Sequence, residues 1–509
     1  MSRRTGTCFS SITDDITHNI LGRLPAESFA SAACVSKYWN RICSQILSRP
    51  KLVSALSLNP NLLITEKLGS RTPVITHSCG GVIGRDVVND EVREANWRSD
   101  EFDDGSLPGI VLMVGFVPGL KVDTIPLLRR KMQEPRVALP ERFITDIKSY
   151  TEAVSGSDQS PAGIIMFGNI RADIRPSLAK LGESPLFIYD GEAFIILAYI
   201  NPITTLLADH ALPEETVIVG DGGGCFLFRS QEHPIDSRSN LYMFDAVALV
   251  FARDRNKSPD IGEIQFHVLM SAGLIPFGPL LETASVKVES NDDTSWLSAR
   301  MEGQNDILQG QSVLADLHSM VEDSSNLFIG VNKQREYSNG SQNMKMTTMD
   351  LYGVMGGENE YFVIDGVGIE PGDTFLLYHP DLETALATTD IASENLEILK
   401  ADISSKINSN SMVAGNSETT GVFGGLIFSS QNRGIPFFDQ HNVDSSPFYL
   451  NFPGVPLAGV FCSGEIGRGS SSSITQVEGQ EQCPPHCCLH EYSTVYLVLT
   501  YIPAAHSED

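Results

Sequence analysis

The chain has 509 residues, of which 42% are hydrophobic and 19% charged, and its net charge is −27 at neutral pH. This length predicts two or three domains, and the composition is that of an ordinary globular protein. The acidic balance argues against extensive contact with nucleic acid or an anionic membrane surface, because both ligands require a basic protein face.

The spacing of the cysteines and the length of the apolar runs indicate where in the cell the protein is located. Nine cysteines are scattered without the regular spacing of a disulfide framework, and no apolar run is long enough to span a membrane. The N-terminal arginines Arg3 and Arg4 are not followed by the apolar run of a secretory signal. We therefore expect reduced thiols and a location in the cytoplasm, the nucleus or both.

The first fifty residues are basic and have a helical pattern. They hold six basic and three acidic residues, so the rest of the chain carries all of the negative net charge. Ile16, Ile20 and Leu24 recur every four residues and predict one apolar helix face, which ends at Pro25. A second apolar run begins at Val35. Because so short a module buries little core, we expect it to complete its hydrophobic surface against a partner.

The segment Ile12–Ser44 resembles an F-box. Its centre reads Ile-Leu-x-x-Leu-Pro and its close Val-Ser-Lys-x-Trp, at the spacing of that family, while Ile-Thr replaces the usual Leu-Pro start. The resemblance implies binding to a Skp1-type adaptor, which links to a cullin and a ubiquitin-conjugating enzyme. The alternative is a helical cap packed on its own chain. The residues assigned to adaptor binding are Ile12, Ile16, Ile20, Leu21, Leu24, Pro25, Val35, Lys37 and Trp39.

A single match to a leucine-rich repeat follows, at Val53, Leu56, Leu58 and Asn61. A solenoid needs about three such units at a fixed period to bury its core. No further copies are found, so we predict no leucine-rich domain.

The remaining sequence consists of short apolar runs separated by glycine-rich turns. Near-continuous apolar runs indicate strands covered on both faces. Leucines and isoleucines at steps of three and four predict a helix within Asp381–Asn408. The fold class predicted is α+β: a small all-helical F-box followed by a two-part α/β region with mixed sheets layered with helices. The predicted strands are Ile110–Phe116, Ile164–Phe167, Phe194–Ile200, Val217–Val219, Met243–Phe251, Ile264–Leu269, Phe362–Ile364, Phe375–Tyr378, Val422–Phe428, Leu457–Phe461 and Val495–Tyr501.

A polar stretch divides this region. Residues 291–342 are poorer in apolar runs and richer in Ser, Asn, Asp and Gln, so the division between two halves is placed near their start. The predicted domains are an F-box at 10–58, an N-terminal α/β domain at 70–290 and a C-terminal α/β domain at 291–505.

These two halves resemble the FIST family, a paired sensory module found fused to F-boxes and to bacterial signalling proteins. The resemblance implies small-ligand sensing in bacterial members and, beside an F-box, recruitment of a substrate. The matching segments are His77–Gly84, Val217–Cys225, Gly366–Asp381, Gly424–Phe438, Gly454–Gly469 and Leu489–Leu499.

Together these features predict a non-catalytic substrate receptor of a Skp1–cullin–F-box ubiquitin ligase. Its partners would be the adaptor, through it a cullin, and an unidentified protein target. The alternative is a sensor of a small-molecule ligand in intracellular signalling. Signatures of kinases, metalloproteases and nucleophile elbows are absent from the sequence, and no cofactor is predicted.

A candidate pocket follows one of the predicted strands. Cys462, Ser463 and Glu465 place a thiol, a hydroxyl and a carboxylate at the end of a strand, beside a glycine turn. Glu465 could hold a ligand amine and Cys462 could line an apolar pocket. Arg433 could pair with Glu465 or with an acidic ligand. The alternative is that Glu465 satisfies turn amides and Cys462 is a small core residue.

Two further motifs have ordinary explanations. The run Gly220–Gly224 lacks the Lys-Ser/Thr ending of a phosphate loop, so a tight turn between strands is predicted. A thiol–imidazole cluster lies between Cys483 and His490, but its spacing is cramped and no second ligand pair is evident. We therefore predict no metal site there.

Overall fold

The computed structural model describes residues 13–57, 72–98, 109–128, 138–157, 159–169, 216–229, 244–289, 294–319, 326–339, 342–410, 421–468 and 488–504. The helices in these ranges are α1 (Asp14–Gly22), α2 (Ala26–Ala33), α3 (Lys37–Leu47), α4 (Ala138–Ser155), α5 (Gly310–His318), α6 (Leu382–Asn410), α7 (Ile435–Phe438) and α8 (Ser446–Asn451).

The strands of the first half are β1 (Lys51–Ser57), β2 (Val74–Ser78), β3 (Gly81–Arg85), β4 (Val92–Asn96), β5 (Ile110–Phe116), β6 (Leu120–Leu128), β7 (Gly163–Gly168), β8 (Val217–Asp221), β9 (Cys225–Arg229), β10 (Phe244–Arg253) and β11 (Glu263–Ala272). Those that follow are β12 (Leu274–Glu289), β13 (Thr294–Met301), β14 (Leu327–Asn339), β15 (Gln342–Glu358), β16 (Tyr361–Asp365), β17 (Thr374–Pro380), β18 (Val422–Ser430), β19 (Leu457–Cys462), β20 (Glu465–Arg468), β21 (Cys488–His490) and β22 (Ser493–Ile502).

The helices α1 to α3 form a small module around one core. Pro25 immediately precedes α2, and the Ser36 side chain caps α3 by accepting a hydrogen bond from the Trp39 amide at 3.1 Å. The fully buried side chains that hold the three helices together are Leu21, Ala32, Ile42, Cys43 and Ile46.

The three-helix module joins the rest of the protein without a linker. Helix α3 ends at Leu47, and β1 begins at Lys51 and pairs antiparallel with β5. The Tyr501 hydroxyl near the end of β22 donates a hydrogen bond to the Ser48 carbonyl at 3.1 Å. Leu52 lies so close to Gly424 of β18 that a side chain at position 424 would clash with it. The module is therefore fixed to the sheets by contacts on both sides of residue 50.

Two six-stranded sheets make up the main body. The first sheet has the order β11-β22-β18-β19-β3-β4, and the second has the order β21-β20-β8-β7-β10-β6. Each is antiparallel except for one central parallel pair, β18 with β19 and β7 with β8. Both sheets are mixed, as predicted, and each contains strands from either side of residue 291. The hairpin β3–β4 extends the sheet of β18 and β19, and the antiparallel pair of β20 and β21 extends the sheet of β7 and β8.

The two sheets pack face to face between two helices. Their shared interior is apolar, with Val219 of the second sheet and Phe428 and Leu497 of the first in one buried cluster. Helix α4 covers the outer face of the second sheet through Phe143, and α6 covers the outer face of the first. The result is a four-layer arrangement of helix, sheet, sheet and helix.

The segment between β11 and α6 forms a closed antiparallel barrel. Its six strands follow the order β12-β13-β16-β15-β14-β17, and β17 pairs with β12 to complete the ring. Leu297, Ile329 and Phe362 fill its interior, and Leu314 of α5 packs into the same core. Closure leaves no unpaired strand edge in the ring.

Most predicted elements of the body are present. Ten of the eleven predicted strands correspond to β5, β7, β8, β10, β11, β16, β17, β18, β19 and β22, and the helix predicted within Asp381–Asn408 is α6. The eleventh, Phe194–Ile200, lies outside the described residues. The other twelve described strands were not predicted, and two of them, β13 and β14, lie in the stretch 291–342 that is poorer in apolar runs. The predicted domain boundary at residue 291 remains a prediction.

We expect the packing of α6 on the first sheet to contribute strongly to stability. Leu396 is 0% exposed and Ile398, two residues further on, is 66% exposed. Leu396→Ala should lower the free energy of unfolding by roughly 2–5 kcal/mol because it leaves a cavity. Ile398→Ala is the control and should cost at most about 0.5 kcal/mol. Urea unfolding followed by circular dichroism tests this, and equal costs would contradict the packing described.

Candidate functional site

Several of the predicted adaptor-binding residues are exposed on the three-helix module. Ile16 and Ile20, one turn apart on α1, are 53% and 49% exposed, and Val35 in the turn before α3 is 65% exposed. Pro25 and Lys37 are exposed as well. Exposed β-branched side chains at helical spacing are typical of a surface that another protein covers.

The other predicted adaptor residues lie deeper. Leu24 and Trp39 are half-buried against the module core. Leu21 is 1% exposed, so its side chain belongs to the core and supports the exposed surface from beneath instead of lying on it. Ile12 lies outside the described residues.

An interhelical contact holds α1 against α3. The Tyr38 hydroxyl donates a hydrogen bond to the Asp14 carboxylate at 2.8 Å, and Arg41 pairs with the same carboxylate at 3.2 Å. Both contacts are largely exposed, so they orient the helices more than they stabilise them.

Arg433 pairs with a residue other than the one the sequence suggested. Its guanidinium is fully buried and lies 2.8 Å from the carboxylate of Asp444, which is also fully buried. It donates further hydrogen bonds to the Tyr492 carbonyl and to the hydroxyls of Ser271 and Thr389, at 3.0 to 3.2 Å. The predicted pairing with Glu465 is therefore wrong: Arg433 is satisfied within the fold.

A second carboxyl group lies beside this ion pair. Glu94 on β4 is buried and accepts a hydrogen bond from the Ser445 amide at 2.6 Å. Burial, and then the negative charge of Asp444, raise the pKa of Glu94 to about 8. A protonated Glu94 leaves one positive and one negative charge in this part of the core, which limits the cost of burying them.

Glu465 accepts hydrogen bonds from Ser493, the first residue of β22. Its Oε2 accepts from the Ser493 amide at 3.3 Å and from the Ser493 hydroxyl at 2.9 Å. The other oxygen, Oε1, is buried and has no hydrogen-bond partner among the described residues. Cys462 is fully buried and packs between the two sheets, while Ser463 is half-buried.

Glu465 belongs to a buried polar cluster that was not predicted from the sequence. Asp221, the last residue of β8, lies directly opposite Glu465 in the pairing of β8 with β20. Its Oδ1 accepts hydrogen bonds from the amides of Gly223 and Ser463, at 2.9 and 3.2 Å. The imidazole of His77 on β2 lies 3.7 Å from Oδ2 of Asp221. We call His77, Asp221 and Glu465 the interlayer cluster.

The run Gly220–Gly224 forms the predicted turn between strands and shapes this cluster. It carries the chain from β8 to β9, and the Gly222 amide donates to the Gly464 carbonyl at 2.7 Å. A side chain at position 224 would clash with the His77 ring, so glycine permits the close approach. The signal that could have located the cluster was therefore the glycine run itself.

The cluster is uncharged at moderately low pH. Burial raises the pKa of Asp221 to about 7 and lowers the pKa of His77 to about 4. Burial also raises the pKa of the Cys79 thiol to about 11 and that of Cys462 well above its ordinary value. A neutral imidazole beside protonated thiols is not the thiolate–imidazolium pair of a cysteine nucleophile.

Only part of the thiol–imidazole cluster between Cys483 and His490 lies within the described residues. Cys483, His486 and Cys487 lie outside the described residues. Elsewhere in the described ranges, no group of three or more His, Cys, Asp or Glu side chains is arranged to hold a metal ion. No helix in those ranges is both long and apolar enough to cross a membrane.

Comparison with known proteins agrees with the helical module. The F-box domain family matches residues 9–50, which include all three helices and the exposed apolar surface. An F-box domain is the part of a ligase receptor that binds a Skp1-type adaptor, so the F-box interpretation is confirmed for this segment.

The likeness to one relative extends far beyond this segment. The chain is similar to the F-box/LRR-repeat protein At5g63520 of Arabidopsis thaliana, with 33% identity over 538 residues that cover 97% of this chain and 93% of the relative. The chain therefore belongs to the family of F-box proteins that this relative represents. Although the relative's name includes leucine-rich repeats, the part of this chain with described structure forms sheets and a barrel.

We expect the buried ion pair to be sensitive to loss of one partner. Arg433→Met would leave the Asp444 carboxylate buried without its partner, at a cost of roughly 3–5 kcal/mol in the free energy of unfolding. Lys406→Met removes an exposed ion pair with Asp402 and serves as the control, at less than about 1 kcal/mol. Chemical unfolding of both variants is the measurement, and a mild effect of Arg433→Met would refute this role.

The interlayer cluster predicts a pH dependence of stability. Because the pKa of Asp221 is about 7 in the folded protein and near 3.8 otherwise, the folded state holds this proton more tightly. The contribution is present below about pH 4 and is lost as the pH rises through about 7. Asp221→Asn should therefore flatten the fall of the unfolding free energy over this range. Asp402→Asn, an exposed replacement on α6, should leave the slope unchanged in the same unfolding series.

Proposed function

We propose that this protein is the substrate receptor of a Skp1–cullin–F-box ubiquitin ligase. The observation that carries this proposal is the exposed row of Ile16 and Ile20 on α1, with Val35 also exposed, on a module matched as an F-box. A Skp1-type adaptor would cover that row and connect the protein to a cullin. The receptor itself would supply no catalytic group to ubiquitin transfer.

The sheets and the barrel would recruit the target. We propose that they form a FIST-type region, on the segment resemblances described for the sequence. The acidic residues lie almost entirely outside the module, so an electrostatically steered target would present a basic surface. Such a receptor would work in the cytoplasm, the nucleus or both.

A second function is favoured by the interlayer cluster. Buried polar atoms without hydrogen-bond partners are uncommon in folded proteins and mark sites where a ligand or water completes the bonding. We propose as the second candidate that the body senses a small ligand, whose binding would control recruitment of the target or of a signalling partner.

The adaptor proposal predicts loss of binding when the exposed row becomes charged. Ile16→Asp with Ile20→Asp should abolish capture of a purified Skp1-type adaptor, because two carboxylates would be buried at the interface without partners. The matched control is Val87→Asp with Val88→Asp, which charges two exposed valines of the body and should leave capture intact. A pull-down with adaptor and cullin is the measurement.

Two further variants sharpen this experiment. Deletion of residues 1–50 should abolish capture, and Leu24→Ala with Trp39→Ala should weaken it by removing half-buried support for the exposed row. Capture by the deleted chain, or by the doubly charged F-box variant, would reject the receptor proposal and leave the module as a helical cap.

A further inference from the structure

The interlayer cluster contains three polar side chains that the described fold leaves incompletely bonded. Both ring nitrogens of His77, Oδ2 of Asp221 and Oε1 of Glu465 are buried and have no hydrogen-bond partner among the described residues. The side chain of His77 is 5% exposed, and those of Asp221 and Glu465 are fully buried. A buried polar group that stays unpaired is destabilising. The fold retains three of them side by side.

The cluster lies where two parallel strand pairs end. Phe167 of β7 is aligned with Asp221 of β8, and Ser430 of β18 is aligned with Cys462 of β19, each near the carboxyl end of its strand. The Ser463 amide bonds to Asp221, so the two ends meet across the layers. The carboxyl ends of parallel strands are the usual position of ligand sites in sheets covered by helices. The cluster has the corresponding position here.

The cover over this position is the short β2–β9 sheet. His77 on β2 packs against the ring of Phe167 with centroids 4.8 Å apart. The rings of Phe167 and Phe428 are 6.3 Å apart, which continues the apolar wall between the layers. A ligand here would have apolar walls and a polar end formed by the cluster.

The hydrogen-bonding groups of the cluster determine which kind of ligand it can bind. The unpaired carboxyl oxygens accept hydrogen bonds when ionised, and one nitrogen of a neutral imidazole also accepts. The groups that lower the pKa of Asp221 are amides and a thiol, with no basic side chain among them. Strand alternation turns Arg468 toward the face of Ile466, away from Glu465. The cluster therefore offers acceptor oxygens without a described cation. Burial and the charge of Glu491 raise the pKa of Glu465 well above its ordinary value, so Glu465 gives up its proton when a cation binds.

We propose that the interlayer cluster binds the ammonium group of a small organic amine through Asp221, Glu465 and His77. Side chains directly opposed across an antiparallel pair have Cβ atoms about 4.5–5.5 Å apart, a span that a single ammonium can bridge. Its three N–H donors match the three acceptors, and its charge favours the ionised carboxylates. This inference rests on the second function proposed above, ligand sensing, and does not depend on adaptor binding.

Thermal unfolding of the full chain tests this proposal with defined probes. Methylammonium and ethylenediammonium chloride supply N–H donors, and tetramethylammonium chloride supplies the same charge type without donors. At equal ionic strength and pH 7.5, the first two should raise the unfolding midpoint by about 2 °C or more at saturating concentration, and tetramethylammonium should not. Equal effects of all three salts, or no effect of methylammonium and ethylenediammonium, would overturn the proposal.

Substitutions in the interlayer cluster test whether the thermal response to methylammonium arises there. Asp221→Asn and Glu465→Gln should each remove the response to methylammonium, because they replace a charged acceptor by a neutral amide of the same shape. Asp402→Asn, an exposed change of equal charge, should keep it. If one of these two variants does not fold, the response of the other and of His77→Phe to methylammonium still tests the site. A full response in the folded cluster variants would reject the site.

Adaptor capture measured on the same samples separates the two functions. It should be unchanged by methylammonium and by each cluster variant, since the F-box surface is built from other residues. In the unmodified protein, absence of the amine response with intact capture would reject the ligand site alone, and absence of capture with an intact amine response would reject the receptor alone.

Discussion

Burial of the Arg433 guanidinium is the constraint around which the body is organised. One side chain bonds to the loop that carries Asp444, to the turn at Tyr492, to Ser271 on β11 and to Thr389 on α6. Of these elements, β11 directly precedes the barrel in the chain and α6 directly follows it, and α6 also covers the first sheet. A charged group in such a place requires a counter-charge and full hydrogen bonding, so the positions of its neighbours are narrowly determined.

The same turn links this constraint to the interlayer cluster. Arg433 holds the carbonyl of Tyr492, and Glu465 holds the amide of the next residue, Ser493. Arg433 and Glu465, which the sequence suggested as a pair, thus bond to adjacent residues of the chain and not to each other. Strand β20, from the second half of the chain, pairs with β8 from the first half and so brings Asp221 opposite Glu465. The proposed amine site consequently depends on both halves of the chain.

The sequence predicted those parts of the structure in which a local pattern decides the outcome. Continuous apolar runs identified strands such as β18 and β22, and the four-residue spacing of Ile16 and Ile20 identified α1. The barrel strand β14 was missed because its second half, after Asn332, reads as a polar stretch, while its place in the ring is set by pairing with β15 and β17. The partner of Arg433 and the approach of His77 to Asp221 were unpredictable for a different reason: they join residues far apart in the chain, through sheet pairings that no spacing reveals.

The direct run from α3 into β1 has a consequence for geometry. With the hydrogen bond from Tyr501 to Ser48 and the packing of Leu52 on Gly424, the F-box has no hinge at its boundary with the sheets. In a ligase of the kind proposed, the bound target would be held at a fixed orientation and distance relative to the cullin. The position of a lysine on the target surface, more than the residues that flank it, would then determine whether ubiquitin is attached to that lysine.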